Sequence, residues 1–529
     1  MPIRMTDDPV DPNEQNDDNG GGGNRPNFPG GGGGLGALLP LLLSLFRGKG
    51  AFLLLILAAG GFFLFRSGAC NTANLQDTVQ NLFSKSGYSF DKNEFNKASV
   101  YEGLEDDATK NPLPEAVSLL RFAPNRLNQG QQGSCVAWSS AYAAQTIAIA
   151  SATGQDPNTI AFSPSYLYNQ IRLEGCQGSY IQRAMEAMQK NGGLPLKDYA
   201  YDDQDCEREP NSSQVREGRQ NVIHGFTRIT NGDNIDEISI RGIKEHLVKG
   251  APVAIGMMVG QSFMQDMMGR ELWTPQGMDA SQMGMGGHAM CVIGYDDKKF
   301  GGAFQIMNSW GPEWGKNGVA WVRYSDFKNY VREAYGVDPM PRTANVANAP
   351  LSCMIGLVNN ATGQNIPLRV SGGNVFRTTN PITPGTRFKM SIRNATECYI
   401  YVFGQETDGS SYVLFPYLKP GETKSKHSPY CGITGYRLFP KGQSMEADSI
   451  GNKDLIAIVV SRQELDYNAL NTAISQSRQT SYAGKVNEAV QRMAIRSARF
   501  STTADGAVSF SVDANDNQAV ASIVEIDKQ

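Results

Sequence analysis

Histidine is scarce in this chain: His224, His246, His288 and His427 are the only four in 529 residues. Chemistry that needs an imidazole base near neutral pH therefore has four places to occur. Basic residues are not in excess either. The formal net charge is −4, and the first thirty residues account for it, with Arg4 and Arg25 set against Asp7, Asp8, Asp11, Glu14, Asp17 and Asp18. Everything after them is neutral, so the electrostatic footprint of nucleic-acid binding is missing. Long hydrophobic runs are missing as well. Leu35 to Phe46 is interrupted by Pro40 and Ala51 to Phe65 is fifteen residues, short of the ~17 to 25 that cross a bilayer as a helix, and only with its flanks counted, from Gly48 to Ala69, does the second run reach the length of a single tilted span.

What is present centres on Asn128-Gln129-Gly130-Gln131-Gln132-Gly133-Ser134-Cys135. The following stretch, Val136 to Ile147, has no Gly or Pro and is rich in Ala, which predicts a buried helix with Cys135 at its start. Unpaired N–H groups and the positive end of the helix dipole lower a thiol's pKa there. Gly130 and Gly133 allow a tight turn that returns the Gln129 side chain toward the thiol.

A thiolate also needs a base, and one histidine has suitable neighbours. Gly286-Gly287-His288-Ala289-Met290-Cys291-Val292-Ile293-Gly294-Tyr295 reads as glycines, an imidazole and a strand leaving it. Asn308-Ser309-Trp310-Gly311 with Trp314-Gly315 and Gly318 follows twenty residues later. These segments, in this order, resemble the papain superfamily of cysteine proteases. The resemblance implies that Cys135 is the nucleophile, that Gln129 and the Cys135 N–H form the oxyanion hole, that His288 is general base and then acid, that Asn308 orients its ring, and that Trp310 shields that hydrogen bond. A neutral amide can fix an imidazole without adding a charge. Cys135 lies 153 residues before His288 and 173 before Asn308, against ~130 to 150 for papain-like enzymes. An insertion is implied, and Phe263 to Met285 is expected to form a loop over the cleft.

Gly175-Cys176-Gln177-Gly178-Ser179-Tyr180 is similar to the family's glycine segment beside the substrate backbone, which makes Gly178, Ser179 and Tyr180 substrate-contact candidates, together with Gly287 and Trp310. Each residue alone has a plainer reading, as a small buried thiol, a structural imidazole or a turn. Val136 replaces the family's usual aromatic residue after the nucleophile. Gln132 stands where Cys176 would find its usual partner, and a bond to Cys206 is left open. No long charged helical propeptide precedes the domain. With Cys135 and Cys291 set aside, Cys70, Cys176, Cys206, Cys353, Cys398 and Cys431 could pair in an order that spacing does not decide. His246 is expected to face solvent and His427 to lack a partner.

The expected fold class is α+β: a papain-like two-lobed region with a helical and a β-barrel-like lobe, then a β-sandwich-like domain. Residues 1–34 read as a disordered acidic, Gly-rich tail, 35–69 as a hydrophobic membrane segment with a main span near 48–69, 70–110 as a linker, 111–341 as the peptidase, and 342–529 as a β-rich accessory domain with one surface helix near 468–493. Arg47 and Lys49 before the span, against Arg66 after it, favour a cytoplasmic N-terminus and an extracytoplasmic body; a signal peptide cut after Ala69 is the competing reading. The accessory region resembles a bacterial domain found beside protease and kinase modules. The expected function is a membrane-tethered bacterial endopeptidase acting on protein or peptide substrates, with no cofactor, no metal and no nucleic acid, and with an envelope or protein partner for the C-terminal domain. A catalytically silent binding module and a transglutaminase-like acyl transferase are the alternatives.

Overall fold

The computed structural model describes residues 3–8, 87–281, 285–340, 349–418, 422 and 424–529. The hydrophobic segment 35–69, Cys70 and most of the acidic tail lie outside them. No helix among the described residues is long and apolar enough to cross a membrane.

The alanine-rich stretch after Cys135 is helical as Cys135–Ala137, Trp138–Gln145 and Thr146–Thr153, the middle part wound as a π-helix. Its first thirteen residues, through Ile147, are buried, which small side chains permit on a helix with no polar face. Pro164–Ile171 and Ile181–Asn191 pack beside it. Across from them runs an antiparallel sheet in the order Phe226–Arg228, Val331–Val337, Val253–Val259, Gly286–Asp296, Ala303–Met307, Val319–Arg323, with Ala116–Ser118 paired to Gly286–Asp296. One hydrophobic core joins helices and sheet. The sheet is open, since its first and last strands do not pair with each other, where a barrel-like lobe was expected.

The stretch from Phe263 is no free loop over the cleft. Phe263, Met267 and Trp273 are buried, Trp273 Nε1 donates to Ser262 Oγ at 3.0 Å, and Trp314 Nε1 donates to the Phe263 carbonyl at 2.8 Å. Indole and phenyl area of this size outweighs the solvation of a loop.

Residues 351–527 form two further sheets that share a core, the expected sandwich arrangement. Two features differ from expectation. Ile3–Asp7, read as part of a disordered tail, pairs antiparallel with Gln443–Ala447. Ile3 enters the core, and Asp8 meets Lys389 Nζ at 2.5 Å, so one apolar side chain and an interior cation hold a short acidic strand. The predicted surface helix is two helices, Tyr467–Gln476 and Tyr482–Val490. Ser481 caps the second through its Oγ, which accepts from Gly484 N–H, and Leu470, Ile474, Val486 and Val490 bury a narrow stripe against the second sheet.

Residues 99–105 bind both halves together. Val100 N–H donates to the Lys426 carbonyl at 2.6 Å and Ser428 N–H to the Val100 carbonyl at 3.1 Å, while Tyr101 N–H donates to the Arg228 carbonyl at 3.0 Å and Arg228 N–H to the Ser99 carbonyl at 2.9 Å. His427, expected to lack a partner, meets Glu102 at 3.0 Å through Nδ1 and Asp233 at 3.2 Å through Nε2. Burial opposes its charge, but the hydrogen bonds to Asp233 and Glu102 prevail and push its pKa up to about 9. A histidine raised in this way stabilises the fold fully below its unfolded value of ~6.5, and the contribution is lost as pH rises toward 9. Thermal unfolding of His427→Gln is therefore expected to fall below wild type at pH 6 and to converge with it by pH 9.5.

Candidate active site

Gly130, at φ +66, makes the turn before the helix in a conformation that L side chains rarely adopt. The turn buries Gln129, whose amide is fixed at both ends: Oε1 accepts from Ser309 Oγ at 2.7 Å and Nε2 donates to the Gln132 carbonyl at 2.9 Å. One Nε2 hydrogen is left to meet an oxyanion. Cys135 begins the helix behind Ser134.

The sheet supplies the other side. His288 is the third residue of Gly286–Asp296, and Asn308 directly follows Ala303–Met307. Ala289 N–H donates to Cys135 Sγ at 3.4 Å, which brings the thiol against the residue after His288. Asn308 Oδ1 lies 2.7 Å from His288 Nε2 and accepts from Ser309 N–H at 2.8 Å. That second donor fixes the amide's orientation, so the imidazole carries its hydrogen on Nε2. Nδ1, buried and without a hydrogen-bond partner, is the basic atom. Trp310 stacks on the imidazole with ring centroids 4.2 Å apart and planes 24° apart. Phe263 and Trp314 back the indole.

A segment that sequence reading treated as linker occupies the space in front of the thiol. Ser179 N–H donates to the Gly87 carbonyl at 2.9 Å and Ser89 N–H to the Ser179 carbonyl at 3.1 Å, with Tyr88 bridged in parallel to Ser179. Gly87 approaches so closely that an added Cβ would lie 1.9 Å from the Gly133 carbonyl oxygen. Its N–H faces Cys135 Sγ. The nucleophile therefore looks at an amide N–H, while the Gly87 carbonyl is engaged by Ser179. Of the substrate-contact candidates, Gly178 and Ser179 line this segment, Gly287 lies against the Tyr88 carbonyl, and Tyr180 packs under Arg183. Gly87, Tyr88 and Ser309 do not stand out in the sequence. Nothing in Gly-Tyr-Ser marks it, because its contacts are backbone pairings to residues far along the chain.

With that segment in place both Cys135 and His288 are fully buried. Burial pushes the Cys135 thiol up to about 11, despite N–H groups from Ala289 and Gly87 that act the other way. Burial takes His288 down to about 4 against the opposing Asn308 hydrogen bond. The ready-made thiolate expected from the helix position is thus overridden by desolvation, and both groups are neutral at pH 7. The 240 nm thiolate absorbance difference between wild type and Cys135→Ala is expected to stay flat through neutral pH and to rise only near pH 11.

Cys176 and Cys206 form the disulfide that sequence left open, with Cα atoms 6.2 Å apart. His246, expected in solvent, is buried, with Nδ1 on the Gly242 carbonyl at 2.8 Å, because its helix turns that face inward. Among the described residues no group of three or more His, Cys, Asp and Glu side chains is placed to hold a metal ion.

A family model described as papain family cysteine protease matches residues 123–338. An uncharacterized peptidase C1-like protein of Acanthamoeba polyphaga mimivirus is 30% identical over 236 residues, 42% of this chain and 69% of the viral protein. Cathepsin K of Mus musculus is 27% identical over 197 residues, 36% of this chain and 54% of the cathepsin. Cathepsin L2 of Homo sapiens is 28% identical over 215 residues, 38% of this chain and 57% of the cathepsin, so the chain spans little more than half the length of these cathepsins. Xylellain, a cysteine protease from Xylella fastidiosa, superposes with a TM-score of 0.40 at 23% identity, over 48% of this chain and 97% of that one.

Proposed function

Starting from the chain's membership of the papain family of cysteine proteases, we propose that it is an endopeptidase acting through Cys135 and His288 and held latent by its own residues 87–89. The chain is a cysteine peptidase, a hydrolase. The observation that carries the finer reading is the chain of contacts from Gln129 through Ser309 and Asn308 to His288, with Cys135 against Ala289. Once residues 87–89 leave, water and substrate enter and the desolvation that holds both groups neutral is relieved. Nδ1 of His288 takes the thiol proton, and the thiolate attacks the peptide carbonyl. The Cys135 N–H and the spare Gln129 Nε2 hydrogen meet the oxyanion. His288 gives its proton to the leaving amine, and water hydrolyses the thioester. Asn308 keeps the imidazole in the tautomer with Nδ1 free.

A binding-only reading is disfavoured by the intact acceptor and donor network, and a transferase reading by Asn308 where an aspartate is usual. The test is mass-spectrometric mapping of new N-termini in an unfolded protein substrate, with and without an added amine. Hydrolysis products that need Cys135 and ignore the amine support the reading. Amine-capped products would assign transfer instead.

Membrane association through residues 35–69, which lie outside the described residues, is part of this reading and is tested by flotation of the full chain with lipid vesicles. Protein or peptide is the substrate class; the C-terminal sandwich is read as a module for a protein or envelope partner.

A further inference from the structure

Lys528 directly follows the strand Ala519–Asp527, and its side chain is only 1% exposed. A lysine this deeply buried needs partners. The strand pairs antiparallel with Lys453–Ser461, with Asp454 opposite Ile526, so Asp454, Ile526 and Lys528 share one face. That face carries Ile456, Ile458, Val524 and Ile526 into the core between the two C-terminal sheets. From the other sheet Asp448, directly after Gln443–Ala447, reaches the same point. Lys528 Nζ donates to Asp448 Oδ1 at 2.6 Å, to Asp454 Oδ1 at 2.7 Å and to the Ile450 carbonyl at 2.8 Å. The side chains of Asp448 and Asp454 are 4% and 0% exposed.

One amine therefore faces two carboxyls inside the protein. Oδ2 of each aspartate is buried and has no hydrogen-bond partner, a costly state for acceptors removed from water. The two carboxyls differ in their surroundings. Asp448 Oδ1 also accepts from Ile450 N–H at 2.9 Å, so that oxygen is fixed between two donors. Burial, with Lys528 acting the other way, pushes the Asp454 carboxyl up to about 6, toward the neutral acid that can lose an oxygen as water. We propose that Lys528 and Asp454 are a self-modification site, where Nζ and Cγ join as an amide with loss of one water and Asp448 carries the proton. Nζ passes one hydrogen to Asp448, and its freed electron pair attacks Asp454 Cγ. A second Nζ hydrogen and the one returned by Asp448 leave with an Asp454 oxygen as water. One Nζ–Cγ bond forms, one Cγ–O bond breaks, and the ammonium and carboxylate charges cancel. The last Nζ hydrogen stays as an amide N–H facing the Ile450 carbonyl. Holding the two groups in contact supplies effective molarities of up to ~10⁵–10⁸ M, and a buried charge pair gives way to a neutral amide. The bond closes a chain separation of 74 residues and restricts the unfolded chain as a disulfide would. Cys353, Cys398 and Cys431, the cysteines of this half, are free.

The test is the mass of the full chain carrying Cys135→Ala, which cannot cut itself, reduced and weighed under denaturing conditions. It is expected about 18 Da below its sequence mass, the loss of one water. A tryptic digest should then hold the peptide that begins at Asp454 joined to the peptide of Lys528, with fragment ions placing the link on those two residues. Lys528→Arg and Asp454→Ala should each keep the full sequence mass. Asp448→Asn, which keeps an oxygen for Nζ and loses the base, should be linked at least about ten-fold less than its parent after equal times. A folded parent chain at its sequence mass, with Asp454 and Lys528 in separate peptides, overturns the proposal and leaves a buried ion pair. A link on Asp448 in place of Asp454, or an Asp448→Asn chain linked as fully as its parent, overturns the roles given to the two carboxyls. The parent chain alone decides whether the bond exists, so the proposal stands or falls even where a variant fails to fold.

Discussion

Gly87→Val in the full chain is expected to raise the labelling rate of Cys135 by about 10²-fold over wild type. The reason is local and steric. A Cβ at residue 87 would sit 1.9 Å from the Gly133 carbonyl oxygen and 2.6 Å from Gly133 Cα, and these are backbone atoms of the turn that positions the thiol. Neither can move without undoing the turn, so the segment must leave the cleft. Overpacking of this kind costs ~1–3 kcal/mol or more, and each 1.4 kcal/mol is tenfold in the closed population. Residues 99–105 remain bound between the two halves, so overall thermal stability should change little while the thiol becomes reachable. The rate is read by mass spectrometry of the intact chain over time. A labelling rate equal to wild type would mean that residues 87–89 do not control access.

The second large effect is at His288. In the opened chain, His288→Ala is expected to lower peptide hydrolysis by on the order of 10⁴-fold or more, because the proton acceptor for the thiol and the donor to the leaving amine are one group. Asn308→Ala is expected to cost less, on the order of 10²-fold, since the imidazole remains and only its tautomer and orientation are freed. The double variant should fall little below His288→Ala alone, because residues that act as a unit are not additive. Steady-state hydrolysis of a fluorogenic peptide measures all three. If Asn308→Ala were as inactive as His288→Ala and also failed to label, a structural role for Asn308 would replace the orienting one.

Much of the site was legible because its signals are local. A glutamine, two glycines and a serine ahead of an alanine-rich helix place Gln129 and Cys135, and a glycine pair before a strand places His288. The structure brings these together with Asn308. What was not legible depends on distant partners. The segment Gly87-Tyr88-Ser89 is defined by backbone bonds to Ser179 and by space left at Gly133, Gly256 and Gly287, none of which shows in three small or aromatic residues. The charge state of Cys135 was misjudged for the same reason: the helix position argues for a thiolate, whereas the burial that opposes it comes from the occluding segment. His427 looked idle because its partners, Glu102 and Asp233, lie 325 and 194 residues earlier. Ile3–Asp7 was hidden inside an acidic composition, although one buried isoleucine and the pull of Lys389 on Asp8 suffice to seat it. The two C-terminal helices bury stripes too narrow to stand out against their polar residues.

Peptidase activity requires an activated Cys135–His288 pair behind a removable cover. The most direct test is peptide mapping of the adduct formed by an epoxysuccinyl probe on the Gly87→Val chain, beside the same chain carrying Cys135→Ala or His288→Ala. The predicted result is a single adduct on Cys135, absent from the first variant and strongly reduced in the second. A folded Gly87→Val chain whose residues 87–89 exchange freely with solvent, yet whose Cys135 stays unmodified or reacts equally well without His288, would contradict it.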